Sequence, residues 1–196
     1  MPSPLCHLYI ARLLIQRKPT LDAAAFFLGN ILPDAVLSRP GHTDADKGYT
    51  HLRREHAVWK RDVQDWLADQ RPLSPIIMGY GAHLVSDIAV RDCLRNHWNR
   101  LKLTPKERES VCLEPYALRV CTQFPEIAGG LMQAQSAVDL PLPRGITRQE
   151  ALAEISYAQQ LMRALPAPLQ EDILPYSAFL EMLQEAASES AHILFE

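Results

Sequence analysis

A chain of 196 residues that is 47% hydrophobic and 22% charged can bury one substantial core, or at most two small ones, and is too apolar for wholesale disorder. Its formal net charge of −3 argues against a protein organised around non-specific nucleic-acid binding, while leaving room for a local basic groove. The four cysteines (Cys6, Cys93, Cys112, Cys121) form no CxxC pair, and no basic segment followed by an apolar stretch opens the chain; reduced thiols, no transmembrane segment and a cytoplasmic setting are expected.

The apolar spacing is helical almost throughout. Leu5, Leu8, Tyr9, Arg12 and Leu13 fit a first helix that starts after Pro4. Leu21 to Ile31 reads as a short apolar helix, with Asp22 in its first turn and Pro33 closing it. Leu37 to Gly48, with Pro40, Gly41 and two aspartates, reads as a loop. From His51 to Gln70 the pattern is that of a long amphipathic helix, and Pro75 opens another that runs to about His97. Thr104 caps a helix expected to continue to about Phe124, and Pro125 to Val138 gives a further one weakened by Gly129-Gly130. Beyond a connector at Asp139 to Gly145, the capping box Thr147/Glu150 opens a helix to Leu165. Pro166 and Pro168 separate it from a last helix near Ser177 to Ser188. The expected architecture is all-α, a single-domain multi-helix bundle over residues 1–196.

The densest chemistry lies in Gly79-Tyr80-Gly81-Ala82-His83-Leu84-Val85-Ser86-Asp87. His83 and Asp87 stand four residues apart, one turn along the same helical face, where an imidazole and a carboxylate can grip one divalent cation or one ion each of a close pair. Ala82, Leu84, Val85 and Ile88 make that helix apolar, and a buried carboxylate needs a hydrogen bond, a counter-charge or a metal. His7, Asp34 and His51 supply three further candidate ligands on separate elements, as metal sites in helical bundles require. Each has an ordinary explanation taken singly: His7 as a core or surface histidine, Asp34 as a turn or cap residue, His51 as an exposed residue in a helix's first turn. His56 lies five residues after His51, about 140° further round an ideal helix, and should not share its face. Cys93 could ligate zinc or be a small core residue, the core reading being favoured, and Trp59, Trp66 and Trp98 read as core rather than as a substrate platform. Arg53, Arg54 and Lys60 could hold a phosphate or simply form a solvated face.

Four segments occur in order: Pro2-Ser3-x-x-Cys6-His7-Leu8-Tyr9-Ile10-Ala11, Phe27-Leu28-Gly29-Asn30-Ile31-Leu32-Pro33-Asp34-Ala35, Thr50-His51 and Gly79-Tyr80-x-x-His83-Leu84-Val85-Ser86-Asp87. Over about residues 2–98 the chain resembles the zinc-dependent phospholipase C family, related to the zinc-dependent single-strand nucleases. The resemblance implies an all-α fold that hydrolyses phosphoesters at a cluster of up to three zinc ions. It implies His7 as a ligand of one zinc, His51 and His83 as ligands of the adjacent one, and Asp87 as the bridge. Asp34 would ligate zinc and, as the catalytic residue, activate water. The chain departs from the pattern where the family has a further histidine and then an HxxxE. Cys93 and His97 stand near the first position, and no HxxxE follows His83 until His192 to Glu196. One or two zinc ions are therefore expected rather than three.

The function expected is a metal-dependent, zinc-type hydrolase of a small-molecule or lipid phosphoester, with nucleic acid a less favoured substrate. The alternative is a non-catalytic helical interaction or scaffold protein with a partly degenerate metal site. A helical phosphohydrolase of the HD type would need an adjacent His-Asp pair, and the sequence has none.

Overall fold

The computed structural model describes residues 2–53, 55–165 and 167–196; of residues 56 and 57 only the backbone is considered. All regular structure among the described residues is helical. The α-helices are α1 (Pro4–Arg17), α2 (Ala23–Ala35), α3 (Asp44–Thr50), α4 (His56–Asp69), α5 (Pro75–Leu101), α6 (Pro105–Ser110), α7 (Glu114–Cys121), α8 (Pro125–Ala134), α9 (Arg148–Met162) and α10 (Tyr176–Phe195). Short 3-10 turns occupy Val36–Ser38, Gln135–Ala137 and Pro143–Gly145. No helix among the described residues is long and apolar enough to cross a membrane.

The longest helix, α5, packs against α2, α10, α4 and α1. Ser74 caps it by accepting a hydrogen bond from the Ile77 backbone N–H, Pro75 sits where a missing N–H costs nothing, and Lys102 ends it in a left-handed conformation at φ 54°. Its length, about 40 Å at 1.5 Å per residue, lets one end lie in the core while the other projects. Every residue from Gly79 to Val90 is buried; most beyond Val90 are half-buried or exposed. α2 packs on one side of the buried part and α10 on another.

Two glycines set the α2–α5 distance. A Cβ on Gly29 would stand 2.1 Å from the Ile76 carbonyl oxygen, and one on Gly79 would stand 2.2 Å from that of Phe26. Backbones can approach so closely only where neither carries a side chain. The Asn30 side-chain amide donates to the Gly79 carbonyl across this seam at 3.3 Å. Around it the apolar side chains of α1, α2, α4, α5 and α7–α10 form one buried cluster.

Several sequence expectations need correction. The segment 37–48 is not all loop: Thr43 and Asp46 form a capping box that starts α3. His51 is accordingly the C-cap of α3, and α4 begins only at His56. Pro33 lies inside α2 rather than closing it, which puts Asp34 in the last helical turn; the packed residues Ile31, Leu32 and Ala35 offset the one hydrogen bond proline forgoes. The helix expected from Thr104 to Phe124 is two, because Pro115 would be interior to a continuous helix and instead takes an N-terminal position of α7. At the other end α10 runs on to Phe195, well past Ser188, carried by buried Ser190, Ala191 and Leu194. Pro166 lies outside the described residues, and α9 ends at Met162.

Candidate metal centre

α1, α2, α5 and the end of α3 bring His7, Asp34, His51, His83 and Asp87 to one buried locus. Their exposures run from 0% to 6%, so five polar side chains share a site from which water is largely excluded. Two groups of ligand atoms lie within 4.8 Å of one another, His7 with His83 and Asp87, and Asp34 with His51 and His83. These buried groups could hold a metal ion.

Hydrogen bonds fix which nitrogen each imidazole presents. His83 Nδ1 lies 2.9 Å from the Asn30 carbonyl oxygen, and His51 Nδ1 lies 3.0 Å from that of Lys47. A carbonyl only accepts, so each Nδ1 carries the proton, and a neutral ring then presents Nε2 as a bare lone pair. His7 follows by one more step. The Ser86 hydroxyl donates to the His83 carbonyl at 2.9 Å, which leaves its oxygen to accept from His7 Nδ1 at 3.0 Å. All three imidazoles thus offer Nε2.

Those lone pairs converge without donors. His51 Nε2 and His83 Nε2 are 3.3 Å apart. Asp34 Oδ1 is 3.4 Å from His51 Nε2 and Asp34 Oδ2 is 3.9 Å from His83 Nε2; Asp87 Oδ2 is 3.6 Å and 3.8 Å from the same two nitrogens. Ligands about 2.0–2.2 Å from a tetrahedral ion are about 3.3–3.6 Å from one another, close to this spacing. The other oxygen of Asp87, Oδ1, faces His7 Nε2 at 3.4 Å. Asp87 therefore turns one oxygen to each side of the centre, and neither His7 Nε2 nor Asp87 Oδ2 has a hydrogen-bond partner among the described residues. A proton on one ring would relieve part of this convergence of acceptors; a divalent cation would relieve all of it.

The protonation states suit a cation. Burial, reinforced by the neighbouring His7, pushes His83 down to about 3, so it is neutral at physiological pH. Burial acts to raise Asp34, but the neighbouring His51 and His83 imidazoles and the Lys47 ammonium hold it well below the usual carboxylate range. Asp87 is likewise lowered, burial being outweighed by the neighbouring His7, His83 and His51 imidazoles.

Several supporting residues escaped the sequence reading. Lys47 on α3 donates its Nζ to Asp34 Oδ1 at 2.8 Å, while its carbonyl orients His51. Thr50 donates to the Pro33 carbonyl at 2.8 Å and receives the Tyr80 hydroxyl on its own carbonyl at 2.6 Å, which docks α3 on α2 and α5. Trp59 Nε1 donates to the His51 carbonyl at 2.6 Å. The capping spacing Thr43 to Asp46 was the signal that could have revealed α3, and with it Lys47 one turn before His51. Glu154 on α9 is a further buried carboxyl whose Oε1 lacks a partner among the described residues. Burial, with the charge of Asp34 adding to it, pushes this group up to about 8.

Other candidates lie elsewhere. Cys93 donates its thiol to Glu185 at 3.4 Å, and burial followed by that contact pushes it up to about 12. His97 Nε2 pairs with the Ile173 carbonyl at 2.9 Å, and His192 pairs with Glu196 on the exposed end of α10. His42 is exposed and bonds the Arg39 carbonyl. Lys60 pairs with Glu189, and Trp66 packs on Tyr80. Arg54 and the side chain of His56 lie outside the described residues. No protein-family model, curated protein or solved structure matches the chain.

Proposed function

We propose that the chain is a zinc-dependent hydrolase of phosphoesters, with the architecture of the zinc-dependent phospholipase C family. The observation that carries this reading is the pair of imidazole lone pairs 3.3 Å apart, flanked by two ionised carboxylates and tied from behind to backbone carbonyls. Imidazole and carboxylate donors in a roughly tetrahedral set suit zinc, and outer hydrogen bonds of this kind orient its ligands. His51, His83, Asp34 and Asp87 would hold one ion; His7 and the second oxygen of Asp87 would hold another, which gives one or two per chain. Zinc when bound supplies the Lewis acidity that makes water nucleophilic near neutral pH and offsets charge on a phosphoryl oxygen.

The residues themselves divide the remaining work. Asp34, held ionised by Lys47 and the imidazoles, is a poor store for a proton and a good hydrogen-bond acceptor, so its part is to ligate and to orient the attacking water. Asp87 fixes the two halves of the centre relative to each other. The reading takes a small-molecule or lipid phosphoester as substrate and the cytoplasm as setting, in keeping with four free cysteines.

Protein purified without chelator should carry one or two zinc ions by elemental analysis. It should cleave bis(p-nitrophenyl) phosphate, lose that activity with chelator, and regain it with added zinc. Zinc without cleavage of any phosphoester would favour the non-catalytic scaffold, a reading motivated by the departure from the family pattern after Asp87, where Cys93 and His97 stand near the position of its further histidine.

A further inference from the structure

A cavity of about 280 Å³ opens on Asp87. Its walls carry two guanidinium groups, Arg53 and Arg91, and two indoles, Trp59 and Trp98; Pro2 and Leu94 complete the apolar part. Arg91 follows Asp87 by four residues on α5, so His83, Asp87 and Arg91 form one row along the helix, each a turn from the next. Its guanidinium lies 5.9 Å from the Trp59 ring centroid, and no carboxylate among the described residues forms an ion pair with it. Arg53 comes to the same cavity from the turn after His51, where Leu52 takes a left-handed φ of 54°.

Among the described residues, Asp87 is the one carboxylate lining this space. Once its charge is engaged by cations at the centre, Arg91 leaves a positive charge on the wall. Guanidinium groups are forks that match carboxylate and phosphate oxygens, and the two indoles contribute apolar wall. A quaternary ammonium head would gain from the indoles but face the like charge of Arg91.

We propose that this cavity seats a second negatively charged group of the substrate, next to the scissile phosphate, with Arg91 as its specificity residue. The inference rests on the phosphoesterase reading and narrows it: the substrate class is a phosphoester with an additional anionic group, and choline-type esters are disfavoured.

The test uses three ligands that share a phosphoryl group and differ in the tail: carboxyethylphosphonate (anionic), propylphosphonate (neutral) and phosphocholine (cationic). Calorimetry on the zinc-loaded chain should show the anionic tail binding about tenfold or more tightly than the neutral one, with phosphocholine weakest. Arg91→Gln should bring the anionic and neutral ligands to near equality, and Arg91→Lys should keep part of the preference. Zinc content and melting temperature of both variants, matching the wild type, separate this from unfolding. Equal binding of all three tails by the wild type, or a preference for phosphocholine, would overturn the proposal. Matched p-nitrophenyl diesters with the same three tails complete the test. If none is cleaved while the anionic preference in binding persists, the hydrolase reading fails and the anion site stands.

Discussion

α5 presents two ligand-type pairs at the same one-turn spacing, His83–Asp87 and Cys93–His97, and their fates differ. The first pair lies where α2 presses against α5, is 1% and 3% exposed, and faces lone pairs from His7, Asp34 and His51. The second lies where the helix has left the core; the Cys93 thiol has Glu185 as acceptor and His97 has the Ile173 carbonyl. Spacing alone therefore does not make a metal centre. What distinguishes the first pair is that burial removes water while the neighbours bring acceptors and almost no donors, an arrangement that is costly until a cation enters.

The comparison breaks first at the helix seam. Gly79→Ala would put a methyl 2.2 Å from the Phe26 carbonyl and 2.9 Å from the Asn30 nitrogen, both backbone atoms that cannot move alone. Separating α2 from α5 should cost more than about 3 kcal/mol and disrupt the Asn30–His83 bond that aims the imidazole. Urea unfolding should show a large fall in midpoint. Gly129→Ala on α8, where an added Cβ meets nothing within 4 Å, should instead gain roughly 0.5–1 kcal/mol. A neutral Gly79→Ala would mean that the close approach does not govern the site.

The next effect concerns the bridge. Asp87→Asn keeps the size of the side chain and removes the negative charge placed between His7 and the His51–His83 pair. Bound zinc should fall by one ion or more per chain and phosphoesterase activity should vanish, with helicity by circular dichroism largely kept. Unchanged zinc together with a lower melting temperature would make Asp87 a structural partner of the histidines and remove the case for two ions.

Much of this centre was legible in the sequence because helical periodicity and ligand chemistry are local signals. His83 and Asp87 share a face by spacing alone, and the Thr147/Glu150 capping box marks the start of α9. α3 was missed because seven residues with two aspartates and a glycine resemble a loop until the cap is noticed. Lys47 went with it. Asn30 and Ser86 act on the imidazoles through a backbone carbonyl and a relayed hydroxyl, roles that residue type does not advertise. Glu154 is remote in sequence, and only packing shows it near the charge of Asp34.

Glu154 gives a smaller, pH-dependent effect. Its carboxyl ionises near 4.5 when unfolded but only near 8 in the folded chain. Between those pH values the folded chain holds one proton more than the unfolded chain, so stability falls as pH rises through that window and levels off above it. The slope from this group is at most about 1.4 kcal/mol per pH unit. Glu154→Gln, neutral throughout, should flatten that part of the stability profile in chelator-treated protein, giving a variant relatively more stable at pH 8 than at pH 5. A profile parallel to the wild type would show that Glu154 ionises normally. Zinc should also shrink the wild-type slope, since it offsets the Asp34 charge that helps to raise Glu154.

The smallest effects belong to the second pair on α5. Cys93→Ser keeps a donor for Glu185, and His97→Gln keeps an amide that can reach the Ile173 carbonyl, so each change should cost no more than about 1 kcal/mol. Neither should alter zinc content, although both are ligand-type residues placed near the position where the resembling family has a further histidine. Their value lies in being matched to Asp87→Asn: same helix, same spacing, opposite expectation for metal. Elemental analysis of the double variant Cys93→Ser/His97→Gln decides it. Zinc unchanged would confine the centre to the buried row through His83 and Asp87. Loss of an ion would mean that α10 can shift to let Cys93 and His97 ligate, and the contrast drawn from their satisfied hydrogen bonds would be wrong.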